Sequence, residues 1–225
     1  MRIYLDNNAT TQLDPAVLDA MIEELAAPPR NPSSIHTFGQ EGKKVLSSCR
    51  SQIASFLGVK TSEILFTSGG TEGMNLLIRG ALKDPQGHII STSIDHACTY
   101  NTLKELAENG AAVTFLPVSP FGAPSPVDLQ KALRPETQLI VLTAANSETG
   151  VKVDLEKMAA IARSAGVPLI IDGVAWMGKE RLTIPEGVSA MAFSAHKFHG
   201  PKGVGFVLVR PSLKLTPLLT GGGQE

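Results

Sequence analysis

Gln138-Leu139-Ile140-Val141-Leu142-Thr143 and, farther along, Leu169-Ile170-Ile171-Asp172 decide the fold. Each holds an uninterrupted apolar run of strand length. A strand with one wet face alternates apolar and polar residues; an unbroken run is what burial on both faces requires. Between the two lies a segment, 155–165, whose apolar residues recur at helical spacing. Strand, helix, strand is the unit that lays parallel strands side by side. Working outward, further strands are predicted over 63–67, 88–92, 112–117, 190–193 and 204–209. Helices are predicted over 15–26, 38–57, from Thr71 onward, 99–109 and 127–133. The alternation predicts an α/β domain, a mostly parallel sheet sandwiched by helices. Val17, Met21 and Leu25 form the apolar stripe of the first helix. Val45, Cys49, Ile53 and Leu57 form that of the second, which places Cys49 in the core.

The 225 residues carry 20 Lys and Arg against 21 Asp and Glu, a formal net charge of −1. A nucleic-acid binder needs surplus basic charge to displace counterions from phosphates, so no nucleic-acid partner is expected. At 43% hydrophobic and 18% charged, the chain has the apolar mass for a core and too much for disorder. Two cysteines, Cys49 and Cys98, are too few for a disulfide framework or a four-cysteine zinc site. No stretch reaches the roughly 18 apolar residues of a spanning helix, and no leader pattern follows Met1. A cytoplasmic protein without a membrane partner is the expectation.

Ligands of parallel α/β sheets sit beyond the carboxyl ends of the strands. The residues just past the predicted strands are Ser68, Gly69, Gly70 and Thr71, then Asp95 and His96, then Asn146, then Asp172, then Ser194, His196 and Lys197. All should lie on one rim. Gly69-Gly70-Thr71 precedes a helix, whose unpaired N–H groups and dipole favour a phosphate; a plain tight turn is the alternative. Asp172, at the end of a buried strand, needs a cationic partner such as a protonated heterocyclic nitrogen or an arginine, unless it caps a helix. A lysine desolvated at a strand end has a nucleophilic amine, the chemistry open to Lys197. Cys98 is either a reactive thiol or packing at a helix start. His196 and His199 lack the neighbours a metal needs, and no metal site is expected. Residues 173–180 nearly spell a phosphate-binding G-x-x-x-x-G-K-[ST] loop. Glu180 replaces the hydroxyl, however, and with Asp172 it sets two carboxylates where phosphates would sit.

Seven segments, in order, carry a resemblance: Tyr4-Leu5-Asp6-Asn7-Asn8-Ala9-Thr10-Thr11, Asn31-Pro32-Ser33-Ser34-Ile35-His36, Thr67-Ser68-Gly69-Gly70-Thr71-Glu72, Asn146-Ser147-Glu148-Thr149-Gly150, Asp172-Gly173-Val174, Ser194 through Gly203, and the closing Gly221-Gly222-Gly223-Gln224-Glu225. Together they resemble the cysteine desulfurases, pyridoxal phosphate enzymes of the class V aminotransferase fold. The resemblance implies an N-terminal segment near the site (1–15) and a cofactor-binding large domain (16–225), with the small C-terminal domain and its sulfur-accepting cysteine absent. It implies that Lys197 attaches the cofactor, Asp172 pairs with the ring nitrogen, and His96 stacks on the ring and moves protons. Gly70, Thr71, Ser194 and His196 would hold the phosphate. Asn146 would lie near the ring hydroxyl and the substrate, and Asn8 near the substrate. Implied partners are L-cysteine, a sulfur acceptor or iron–sulfur scaffold protein, and a second copy in a homodimer. One departure stands out: Ala175 occupies the position where the family carries a glutamine that bonds the ring hydroxyl, unless Trp176 or a water takes over. Two other readings stay open, a cofactor-binding chain without turnover and a selenocysteine lyase-like enzyme.

Overall fold

The computed structural model describes residues 2–221. The closing segment, apart from Gly221, therefore lies outside the described residues. Seven strands form one sheet: β1 (Ile64–Thr67), β2 (His88–Thr92), β3 (Ala112–Leu116), β4 (Thr137–Thr143), β5 (Leu169–Asp172), β6 (Val188–Ser194) and β7 (Gly205–Val209). Six helices accompany them: α1 (Pro15–Ala26), α2 (Thr37–Leu57), α3 (Gly70–Ala81), α4 (Ala97–Glu108), α5 (Pro126–Ala132) and α6 (Leu155–Ala165). The order across the sheet is β1-β7-β6-β5-β4-β2-β3. From β6 to β3 every pairing is parallel, whereas β7 runs antiparallel to both β6 and β1. The mostly parallel, helix-covered sheet expected from the sequence is the one observed.

The period of two along the buried strands builds the three layers. Leu139 and Val141 of β4 face one way and pack with Met74, Leu77 and Ile78 of α3 and Leu103 of α4. Ile140 and Leu142 face the other way and pack with Leu129 of α5 and Met158, Ala159 and Ala162 of α6. All four β4 residues are fully buried. At about 25 cal/mol per Å² of apolar surface removed from water, such two-sided burial is what holds the sheet.

Two stripes read from the sequence are placed differently. In α1 no residue is buried and none joins either core; Leu25 is 82% exposed. In α2 only Gly39, Ala54 and Leu57 are buried, so the helix meets the sheet with its last turns, and Cys49, expected in the core, is exposed. Helical periodicity records which residues share a face, not whether the chain supplies a surface to cover it.

Helix starts explain the small shifts in boundaries. α4 begins two residues before its predicted start because the His96 ring nitrogen accepts the Cys98 N–H. His36 caps α2 in the same way. Imidazole is outside the usual set of capping side chains, so neither start is marked in the sequence. α3 has no side-chain cap; Gly69 precedes it at φ 154°. Its first N–H groups are left for something else.

Candidate active site

Strand direction places the site. β2 to β3 steps toward one edge of the sheet, whereas β4, β5 and β6 step toward the other. The connections therefore part between β2 and β4, and a crevice opens beyond their carboxyl ends at such a switch point. A cavity of about 250 Å³ lies there, lined by residues that follow β1, β2, β4, β5 and β6. Gly70, Thr71, His96, Asn146, Asp172, Ser194, His196 and Lys197, all expected from the sequence, line it. Ala9, Ile94, Cys98, Thr143, Ala145, Ser147, Val174 and Ala175 line it too.

Asp172 closes β5 and is only 5% exposed. Its Oδ1 accepts the Val174 N–H at 3.0 Å, and the carboxylate has no other hydrogen-bond partner among the described residues. No regular helix follows, so capping does not account for it. Burial pushes its carboxyl above the ordinary range, against weaker pulls from the Val174 N–H, His96 and Lys197. Lys197 lines the same cavity from the short turn after β6. Desolvation brings its ammonium pKa down, Asp172 opposes that shift, and Lys179 adds to it. A buried carboxylate and a desolvated amine thus share one small cavity, each disfavoured in its charged form by the loss of water.

The phosphate-type corner is built from α3. Gly70 opens the helix, and a Cβ there would lie 2.7 Å from Val174 Cγ2. Ser194 ends β6 beside it; the missing side chain lets backbone N–H groups face the opening. His196 lines the same opening, and desolvation, then Lys197 and Lys202, hold its pKa low.

An N-terminal strap completes the rim. The Thr11 N–H donates to the His196 carbonyl at 2.8 Å, and His196 Nδ1 lies 3.1 Å from Thr10 Oγ1. Lys197 Nζ donates to the Asn8 carbonyl, and Lys179 Nζ donates to the Asn7 carbonyl at 3.1 Å. Lys179 is thereby committed to the strap and Glu180 to an ion pair with Lys152, so the loop that nearly spells a phosphate-binding motif holds none of its expected geometry. Asn8 meets the rim through its carbonyl, while its amide donates to the Ser147 carbonyl.

Two polar residues, Asn146 and Asp95, spend their oxygens on the scaffold. Asn146 Oδ1 accepts from the Glu148 N–H, the Thr149 N–H and the Thr149 hydroxyl, and Nδ2 donates to the Ile94 carbonyl at 2.8 Å. One amide hydrogen remains for anything in the cavity. Asp95 is buried and accepts from the Ser91 hydroxyl and the Thr92 and Thr143 N–H groups, tying the end of β2 to β4; it does not line the cavity. Cys98 lies 3.0 Å, Sγ to Nδ1, from His96, and burial, with Asp172 adding to it, raises its thiol pKa to about 11. It is a protonated thiol, not the reactive thiolate allowed by the sequence.

Residues 3–225 match the family described as aminotransferase class-V. The chain belongs to that family. This class-V chain is 42% identical over 226 residues to cysteine desulfurase 2 of Trichormus variabilis and 40% identical over 227 residues to cysteine desulfurase IscS of Dictyoglomus turgidum. Each alignment takes in 99% of the chain, which spans 57% and 58% of those relatives. Among solved structures it superposes on a NifS-like protein with a TM-score of 0.95 at 36% identity, covering all of this chain and 63% of the other. It superposes on SspA in complex with cysteine with a TM-score of 0.94 at 33% identity, covering 99% of this chain and 66% of the other. The family is pyridoxal phosphate dependent, and the class-V chain fits that group on its own chemistry. It offers a buried, singly bonded carboxylate, a desolvated amine, and an uncapped helix start whose glycine lets an anion approach.

Proposed function

We propose that this chain is the cofactor-binding portion of a cysteine desulfurase, which takes sulfur from L-cysteine and leaves L-alanine. One observation carries the reading: Lys197 and Asp172, from separate strand ends, meet in the same cavity. In this reading Lys197 holds the cofactor covalently, and the desolvation that lowers its pKa favours the neutral amine. Asp172 turns its open oxygen to the ring nitrogen, which supplies the cation a buried carboxylate needs. Gly70, Thr71, Ser194 and His196 take the phosphate at the start of α3. When bound, pyridoxal phosphate supplies an electron sink for charge developing at the substrate's Cα. His96, exposed over the cavity, holds or moves a proton there, and Asn146 and the Asn8 segment bound the substrate side.

L-cysteine as substrate is supported by the names of the desulfurase relatives and by the cysteine complex of SspA. The reading includes a homodimer, supported by exposed apolar side chains such as Ile35 (94%) and Phe38. It includes a sulfur acceptor or iron–sulfur scaffold protein as partner. It also includes the cytoplasm, where the free thiols Cys49 and Cys98 stay reduced. No described helix is long and apolar enough to cross a membrane.

A second reading has an observation of its own. The one thiol lining the cavity among the described residues, Cys98, is held protonated and is a poor sulfur acceptor. These 225 residues alone would then bind the cofactor without turnover. Purified chain mixed with pyridoxal phosphate is expected to gain the visible absorption band of a lysine-bound cofactor, and Lys197→Ala to lose it. A chain that stays colourless overturns both readings. A coloured chain that yields neither alanine nor sulfide from L-cysteine leaves only the second.

A further inference from the structure

The cavity floor holds a cluster of metal-ligating side chains. His96, Cys98 and Asp172 each contribute one ligand atom, and the three atoms lie within 4.8 Å of one another. Two come from the start of α4 and one from the end of β5. The carboxylate is more than nine-tenths buried, lines the cavity, and accepts a single hydrogen bond. Beside it sit a polarisable sulfur and an imidazole nitrogen already in contact with each other. Calcium and magnesium take oxygen ligands, so this nitrogen, sulfur and oxygen set selects against them. Three such ligands with one position left open are the arrangement zinc adopts when it is not purely structural.

We propose that, in the chain without its cofactor, His96, Cys98 and Asp172 bind one thiophilic divalent cation of the zinc class, and that this cation and pyridoxal phosphate exclude each other. Zinc ligand atoms sit about 2.0–2.3 Å from the metal, so the widest of the three separations must close by on the order of 1 Å. His96 is exposed at a helix start and Cys98 is next to it in the first turn, so side-chain rotation brings the closure. On binding, the sulfur–hydrogen bond breaks, a sulfur–metal bond forms, and the proton passes to solvent; nothing is oxidised or reduced. Exclusion follows because the open carboxylate oxygen has room for one positive partner in a cavity of about 250 Å³. Only this competition rests on the cofactor reading; the cation site stands on the three side chains.

The 225-residue chain, with and without pyridoxal phosphate, is titrated with Zn²⁺ by calorimetry and with Co²⁺ by absorption. One Zn²⁺ per cofactor-free chain is expected, together with a thiolate-to-cobalt charge-transfer band. Cys98→Ala and Cys98→Ser should each weaken Zn²⁺ by about tenfold or more and remove that band. Both should still gain the visible band with pyridoxal phosphate, which shows that the fold is intact. Zn²⁺ added first should suppress that band in the unaltered chain and not in the variants. Zn²⁺ affinity unchanged in both variants, or no stoichiometric binding, overturns the site. Zn²⁺ and cofactor held together overturn the exclusion. Zn²⁺ bound through Cys98 in a chain that never takes up pyridoxal phosphate leaves the cation site standing and removes the cofactor reading instead.

Discussion

Ala175 lines the cavity with no more than a methyl group, three residues beyond the buried carboxylate. Trp176 does not make up for it. Its ring packs against one of the core clusters, its Nε1 is buried with no hydrogen-bond partner among the described residues, and it does not line the cavity. One added hydrogen bond is worth about 1 kcal/mol, so Ala175→Gln should tighten pyridoxal phosphate binding about fivefold. A spectrophotometric titration checks this; equal affinity would mean another group already fills the role. Asp172 has a pH signature. Burial raises its carboxyl pKa in the folded chain, whereas the unfolded chain titrates near 4. Between those two values the folded chain holds a proton the unfolded chain has lost, so stability falls as pH rises through that interval. Asp172→Asn carries no charge to desolvate. It should raise the Tm of the cofactor-free chain, more at pH 8 than at pH 5, while abolishing cofactor retention. Thermal melts at the two pH values decide it, and an unchanged Tm at pH 8 would refute the account. Asp172 was legible because it directly follows an apolar run, and Ala175 only through the family resemblance. Asn146 and Asp95 were legible as rim residues only, since nothing in the sequence says that their oxygens are taken up by neighbouring N–H groups.

At the scale of elements, α3 shows how a helix start becomes a cradle. Its first residue has no side chain, and its neighbour Val174 sits where a Cβ would go. Gly70→Val should therefore push Val174 into the cavity, weaken pyridoxal phosphate binding by about tenfold or more, and lower stability by about 1–3 kcal/mol through overpacking. Cofactor titration and denaturant melts of the same preparation measure both; unaltered binding would show that the anion approaches from elsewhere. Strands and most helices could be read from periodicity because burial imposes it. α1 and the first half of α2 show where that signal stops: their stripes are apolar, and the described residues provide no core surface to cover them. The N-terminal strap had no periodicity to read. It is held by N–H groups, carbonyls and hydroxyls of residues 8–14 bonded to the loop at 196–199 and by the Asn7 carbonyl bonded to Lys179, pairings that only the folded chain brings together.

Across the whole molecule, stability rests on the sheet being buried twice. Ile140 is fully buried between β2 and β5, with its side chain in the core beneath α5 and α6. Ile140→Ala should cost about 2–5 kcal/mol. At roughly 2–4 °C per kcal/mol for a chain of this size, the Tm should fall by on the order of 10 °C. A drop of a degree or two would mean that the two helical layers close over the gap. The position of β1 carries a consequence for how the chain is made. Its sole sheet neighbour is β7, paired through Ile64–Leu208 and Thr67–Gly205. β1 must therefore wait, unpaired, until the five strands between it and β7 have been made. During that delay a short sticky edge is open to other chains. Slow elongation between β1 and β7, or a stall before Val209, should thus favour aggregates over folded protein, whereas chaperone capture of the nascent chain should restore yield.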